Sequence, residues 1–320
     1  MPSLSRYFFP ALVALFAAVC LYSLRGHIAV ISLAPLAHSW NVVILAALCS
    51  VLNYALRVIR WQRYLSKLGH SLPLGFTALT YVAGFAFTVS PGKVGEMARA
   101  RYYSSLGLSL ADTVGAFFIE RLMDVMAMMV LASAIAATMP RYHAAMWSAG
   151  ALVVVVLITL ASLPWNAIAG SLAARRQLSS PVKKFGVGAA KALAAARSLL
   201  SPGALLLGFT LGLVAWGFEG VGLYALGSIV PSTTLPVATG VGIYAIAVLV
   251  GAVSFLPGGL GSTEAVMTAL LTLQGYAIAD ALLVTIVCRI VTLWLAVLIG
   301  WIAVLVLRHR AAPMVSSSWQ

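Results

Sequence analysis

Apolar residues run through this 320-residue chain in stretches of 17 or more, broken by short polar or Pro-Gly punctuation. A bilayer core of about 30 Å takes about 20 apolar helical residues to cross, so each such run is a candidate span. The pattern predicts full spans near 8–24, 40–56, 113–138, 145–163, 203–230 and 281–307. Two other apolar runs, 74–90 and 237–256, behave differently. Each ends in a Pro-Gly cluster and is followed by a second, less apolar helical stretch. Such runs read as broken or re-entrant helices, tolerated at membrane depth only where protein or a wet cavity surrounds the freed backbone. The run 8–24 lacks a small-x-small cleavage site followed by polar sequence, and reads as a retained helix rather than a signal peptide.

Composition sharpens this picture: 62% of residues are hydrophobic, 8% are charged and mean hydropathy is +1.03. A soluble domain carries about 25% charged residues, so the expected fold is an all-α polytopic membrane protein. It comprises about six full spans and two broken helix pairs, forming one transmembrane domain over 1–320. The net charge of +13 would suggest nucleic acid in a soluble protein. Here most cations end apolar runs, as the positive-inside rule and anionic headgroups require, and nucleic-acid binding is not expected. Counting Arg57, Arg60, Arg63 and Lys67 as a cytoplasmic group, thirteen Lys and Arg residues fall on one side and two, Arg25 and Arg141, on the other. This places both termini in the cytoplasm of a bacterial inner membrane. The balance closes only if 74–90 and 237–256 enter from opposite faces. The segment 164–201, with Arg176, Lys183, Lys184 and Lys191 at near-heptad spacing, reads as a basic cytoplasmic linker or a surface helix on anionic lipid.

An internal repeat emerges when the two Pro-Gly clusters are superposed. Pro91, Gly92 and Gly95 match Pro257, Gly258 and Gly261. After a two-residue insertion, Glu96, Gly107, Ala111, Asp112 and Arg121 match Glu264, Gly275, Ala279, Asp280 and Arg289. Repeat 1 covers about 40–138 and repeat 2 about 203–307. Opposite entry makes them an inverted repeat, the architecture of alternating-access transporters, with the site where broken helices meet near the midplane.

The repeated residues suggest chemistry. Seventeen helical residues rise about 25 Å, which sets Pro91 and Gly92 deep in the bilayer. A helix restarting there exposes backbone donors, so the amides of Gly92 to Gly95 and of Gly258 to Gly261 are candidate anion cradles. Ionised groups at such depth cost about 2.5–3.5 kcal/mol each and need company. Arg289, alone in its span, is expected to pair with Glu264, and Arg121 with Glu96. Lys93, Arg99, Arg121 and Arg289 are candidate headgroup ligands. Glu96, Glu120, Asp124, Glu219 and Glu264 would balance charge or take a proton. A purely structural role for these pairs remains open alongside. The three cysteines and five histidines lack ligand spacing, and no hydrolase, Walker or zinc motif is present, so neither catalysis nor a metal or other cofactor is expected.

The stretches RVIRWQRYLSKLG, SPGKVGEMARAR, FFIERLMD, LPGGLGSTEAVMTALL and CRIVTLW together resemble the flippase-like transmembrane family. That family includes the membrane half of lysylphosphatidylglycerol synthases and free-standing members such as the hopanoid-biosynthesis-associated membrane protein. The resemblance implies a lipid-translocase fold around a lipid-accessible cavity. It points to Glu96, Arg99, Glu120, Arg121, Asp124, Glu264 and Arg289. The sequence ends at Gln320 without an aminoacyl-transferase domain, so lysine transfer is not expected of it. The expected cargo is an anionic or amphipathic lipid: an anionic or aminoacylated phospholipid, or a polyprenyl or hopanoid-type lipid. A homodimer and a lipid-modifying enzyme partner are further expectations. Two other readings share the architecture: a small-solute or proton-coupled transporter, and a non-transporting accessory subunit of a lipid-modifying enzyme.

Overall fold

The computed structural model describes residues 34–136, 143–175, 179–230 and 233–316, all helical or connecting, with no strand among them. The expected span 8–24, with Arg6, Arg25, Cys20 and His27, lies outside the described residues, as do Arg141 and Arg176. In chain order the helices are α1 (Trp40–Lys67), α2 (Leu74–Ala83), α3 (Arg99–Ser104), α4 (Leu110–Ala136), α5 (His143–Ser162) and α6 (Trp165–Ala174). Then follow α7 (Ser180–Ser198), α8 (Pro202–Gly227), α9 (Val237–Val253), α10 (Ser262–Leu273), α11 (Ile278–Arg289) and α12 (Leu295–Ser316). Among the described residues, three helical stretches are long and apolar enough to cross a membrane: α1, α8 and the continuous Ile278–His309. α5 and α6, bent by 68°, form a fourth if counted as one span. α4 matches their length but carries Asp112, Glu120, Arg121 and Asp124. The chain is thus an all-α multi-pass membrane protein.

The first correction concerns α1. The expected span ended at residue 56, yet the helix runs 28 residues to Lys67, about 42 Å at 1.5 Å per residue. Arg57 and Arg60 therefore do not sit in a boundary loop. They are 4% and 0% exposed, and they leave the cytoplasmic charge group. The opposite face of α1 turns Leu45, Leu48, Leu52 and Ile59 outward, spaced as one helical stripe. Up to Arg60, α1 is thus apolar on its outer face and charged on its inner one, as hydrocarbon solvent demands.

α8 lies antiparallel to α1. Ser50 meets Glu219 near one end and Arg60 meets the Gly208 carbonyl near the other. The approach is close because α8 presents small residues there: a Cβ on Gly212 would stand 2.7 Å from Arg60 Nη1. Two apolar clusters flank this pair. One joins α8, α9, α10 and α11 around Leu223, Ile243 and Leu271; the other joins α1, α2, α4 and α7 around Trp61, Ile119 and Ala196. Within 164–201 the chain forms α6 and α7, and α7 turns Ala192 and Ala195 onto Gly115 of α4. Lys184 and Lys191 stay exposed, and Lys183 is half-buried.

Both expected breaks are present. α2 tightens into a 3-10 turn over Gly84–Phe87 and stops before Pro91; a second 3-10 segment, Pro91–Ala98, leads into α3. α9 stops at Val253, ahead of the turn Pro257–Gly259 and α10. In each case the residue before proline, Ser90 (φ −123°, ψ 152°) or Leu256 (φ −65°, ψ 146°), is extended. Clash with the proline ring bars it from helix, which is why the chain reverses there. The two turns meet: a Cβ on Gly258 would lie 3.5 Å from Val89 Cα.

Candidate functional site

Seven ionisable side chains converge from α1, the first turn with α3, and α4. Arg57 and Arg60 stand one helical turn apart on α1; Glu120 and Asp124 stand four apart on α4, with Arg121 between them. Asp124 accepts a hydrogen bond from Arg60 Nη2 at 2.6 Å, and its Oδ2 forms an ion pair with Arg121 Nη2 at 3.0 Å. Glu120 lies within 3.1–3.4 Å of Arg60, Arg99 and Arg121, and the Tyr81 hydroxyl donates to it. Glu96 accepts from the Thr88 hydroxyl at 2.8 Å, and its Oε2 lies 3.8, 3.9 and 4.0 Å from Arg57, Arg99 and Arg121. Four guanidiniums face three carboxylates, leaving one positive charge. Arg99 is fully buried, its guanidinium 4.0 Å from the Trp61 ring centre and 4.5 Å from that of Tyr81. Stacking on aromatic faces is a favourable way to hold a poorly hydrated guanidinium.

The second turn is built differently. Gly258, Gly259 and Gly261 have φ of +63°, +66° and +84°, a region a side chain would strain. Glu264 Oε1 receives Arg289 Nε at 2.6 Å, Oε2 receives the Gly261 amide at 2.6 Å, and Arg289 Nη2 donates to the Gly258 carbonyl at 2.7 Å. One ion pair thus ties the end of α11 to the start of α10 and to the turn. Beyond Arg289 the helix widens into a π-turn, Ile290–Trp294, and the Tyr54 hydroxyl donates to the Thr292 carbonyl. Single π-turns inside α-helices recur at functional sites.

Between the two turns lies a cavity of about 620 Å³. Its polar lining includes Arg57, Arg121, Arg289, Asp124 and Glu219, and apolar residues such as Phe118, Met128, Val248 and Leu293 complete its walls. Glu219 on α8 is 3% exposed and accepts from Ser50 at 3.1 Å and Tyr244 at 3.3 Å. A concave, mostly apolar chamber with a few convergent charges is what an amphipathic ligand requires. Among the described residues no three His, Cys, Asp or Glu side chains converge as metal donors.

The structure sorts the sequence-predicted residues. Arg121, Arg289, Asp124, Glu219 and Gly258 line the cavity. The Arg289–Glu264 pair forms as expected; the Arg121–Glu96 pair is the loosest contact of Arg121, which lies closer to Asp124 and Glu120. Arg99, Glu96, Glu120 and Glu264 stand behind the lining and hold it. The expected amide cradle is altered at two points: the Gly95 amide donates to Ser90 Oγ at 2.7 Å and the Gly261 amide to Glu264. Those two donors are already engaged by side chains. Gly92 lies in the 3-10 segment Pro91–Ala98; the Lys93 side chain falls outside the described positions. Arg57 and Arg60 were missed. The signal that could have found them is periodicity: Tyr54, Val58, Trp61 and Leu65 continue the buried face of α1 past both arginines.

No curated protein matches the chain. The family model described as "Lysylphosphatidylglycerol synthase TM region" matches residues 8–300. With nearly the whole chain spanned by that one model, over the same residues that build the charged cluster, both turns and the cavity, the chain belongs to the lysylphosphatidylglycerol synthase TM region family.

Proposed function

We infer that this membrane protein translocates an anionic or amphipathic lipid, the cavity between the turns receiving the headgroup while acyl chains stay in hydrocarbon. Membership of a family tied to phospholipid handling supports a lipid as ligand. The observation that carries the reading is the cavity, where Arg57, Arg121 and Arg289 face a chamber otherwise walled mostly by apolar side chains. A small hydrophilic solute would need a polar wall on every side; an amphipathic molecule needs charge at one place only. The abutting turns, read as halves of an inverted repeat, would let one half rock against the other and change the leaflet the cavity serves. The family is also tied to lipid modification, so an accessory role beside a lipid-modifying enzyme is the second reading. A bacterial inner membrane with cytoplasmic termini is part of the proposal.

The test is leaflet exchange of headgroup-labelled anionic, zwitterionic and aminoacylated lipids in proteoliposomes. Exchange that is selective for headgroup and lost in folded Arg121→Ala or Arg289→Ala protein supports translocation. No exchange of any lipid by folded wild-type protein refutes it and favours the accessory role.

A further inference from the structure

Five carboxylates line the cavity or stand behind its lining: Glu96, Glu120, Asp124, Glu264 and Glu219. The first four each lie within 3.8 Å of at least one guanidinium. A proton on any of them would leave that arginine facing a neutral acid where water cannot screen it. Glu219 is held by hydroxyls: its Oε2 accepts from Ser50 at 3.1 Å and from Tyr244 at 3.3 Å. Ser50 Oγ also stands 3.3 Å from the Ala46 carbonyl. A hydroxyl can donate to a carboxylate or accept from a carboxylic acid. A proton arriving on Oε2 would donate to Ser50 Oγ, the Ser50 hydrogen would turn to the Ala46 carbonyl, and Tyr244 would go on donating to Oε2. The hydrogen bonds are satisfied in both states, so this side chain can change its charge without disrupting the helices that hold it.

Glu219 also closes a balance of charge. Among the described side chains, Arg57, Arg60, Arg99, Arg121 and Arg289 face these five carboxylates across the cluster, the Arg289–Glu264 pair and the cavity wall. With Glu219 ionised the sum is zero, and no net charge draws an anion into a chamber walled mostly by apolar side chains. With Glu219 protonated one positive charge is left over, and one singly charged headgroup restores neutrality. Glu219 is 3% exposed and itself lines the cavity, so it stands where a headgroup would feel it. The titratable and charged groups around it are Cys49, Tyr54 and Arg57 on α1, Tyr244 on α9, Cys288 and Arg289 on α11, and Arg121 with Asp124 across the cavity on α4. Arginines keep their charge at any working pH, and thiols and phenols keep their protons below about pH 8. Asp124 is tied to two arginines, which leaves Glu219 to carry the change.

We propose that Glu219 carries a coupling proton: its protonation admits an anionic headgroup to the cavity, and lipid and proton cross the membrane together. This rests on the cavity being the headgroup site of a translocase, and it adds the coupling ion and the residue that binds it. The proton comes onto Oε2 from water on one side and returns to water on the other, so no further reactant is required. Linkage makes the effect reciprocal: the proton tightens lipid binding by the same factor by which lipid tightens proton binding. With a singly charged headgroup the crossing is electroneutral, and a proton gradient drives lipid from the acid side to the alkaline side.

Equilibrium binding of phosphatidylglycerol to the purified full chain in detergent tests it, between about pH 5 and 8, with diacylglycerol of matched acyl chains as the uncharged control. Wild-type affinity for phosphatidylglycerol should fall by up to about tenfold per pH unit where Glu219 loses its proton, the slope of one proton taken up per lipid bound, while diacylglycerol binding stays flat. Glu219→Gln fixes the side chain in a neutral state and should remove the slope, holding affinity at the acid-pH level throughout; Glu219→Asp, still titratable, should restore it. The wild-type slope needs no variant and stands even if neither variant folds. In wild-type proteoliposomes with the membrane potential clamped, an imposed pH gradient should accumulate headgroup-labelled phosphatidylglycerol severalfold in the leaflet on the alkaline side, with sodium replaceable by choline. A flat wild-type profile, an undiminished slope in folded Glu219→Gln, or a requirement for sodium would each overturn the proposal. The two claims fail separately. Leaflet exchange that ignores the gradient removes proton coupling and leaves translocation; proton-linked binding without any exchange removes translocation and leaves Glu219 as a proton-linked gate on headgroup binding.

Discussion

Replacing Glu120 by glutamine changes one atom and should unsettle the whole charged cluster. Glu120 is fully buried, and its carboxylate stands within 3.4 Å of Arg60, Arg99 and Arg121. Glutamine keeps the shape and accepts one hydrogen bond, but the cluster then carries four positive and two negative groups in a region that water cannot screen. Removing one member of a buried ion pair costs about 3–5 kcal/mol, chiefly through the partner left uncompensated. Arg60 retains Asp124 at 2.6 Å and Arg121 retains it at 3.0 Å, so the loss falls most heavily on Arg99. Its remaining carboxylate is Glu96, at 3.9 Å. The lower end, about 3 kcal/mol, is therefore expected, which for a chain of this size lowers Tm by roughly 5 °C. Thermal unfolding of the detergent-solubilised protein, followed by tryptophan fluorescence and size exclusion, measures it. The double variant Glu120→Gln/Arg99→Gln restores the cluster charge and should recover about 1 kcal/mol or more relative to the sum of the singles. A Glu120→Gln protein as stable as wild type, or a double variant whose losses simply add, would refute the claim that these residues act as one compensated unit.

Other consequences are read as directly. Gly212→Leu must displace Arg60, since even a Cβ would stand 2.7 Å from Nη1, and a loss of about 1–3 kcal/mol is expected in the same unfolding assay. Val248→Trp, on the apolar wall, should fill the cavity and abolish lipid exchange while Tm changes by only a few degrees; unimpaired exchange would place the lipid path elsewhere. Glu264→Gln leaves one acceptor oxygen where two are used, so the bond from Arg289 Nε or the bond from the Gly261 amide is lost, and with it the charge that faces Arg289. Limited proteolysis near Pro257–Gly261 should then accelerate severalfold relative to wild type. Cys49 and Cys288 are buried free thiols, so in a Cys20→Ser background maleimide labelling should await denaturation, and rapid labelling of folded protein would contradict their burial.

How much of this was legible in sequence depends on what kind of force places each residue. Spans follow from hydrocarbon solvation, which acts on composition, so α8 and the run from α11 into α12 lay where apolar length put them. The reversals at Ser90-Pro91 and Leu256-Pro257 are backbone effects of the residues themselves and were equally plain. Arg289 was assigned to Glu264 because an isolated charge in an apolar helix has few partners in reach. Arg57 and Arg60 were misplaced for the opposite reason: arginines ending an apolar run look like boundary charges, and only burial against α4 and α8 distinguishes them. Arg99 looked like a ligand until Trp61 and Tyr81, remote in sequence, were seen to enclose it. Whether the Gly95 and Gly261 amides face a ligand or a side chain depends on the orientation of Ser90 and Glu264, which spacing does not encode.

The most direct measurement is the initial rate of leaflet exchange of headgroup-labelled phosphatidylglycerol in proteoliposomes holding wild-type or Arg121→Ala protein, against protein-free vesicles. The account predicts exchange well above the protein-free rate for wild type and a return to that rate for folded Arg121→Ala. Wild-type vesicles no faster than empty ones, or equal rates for both proteins, would contradict a headgroup path through the cavity.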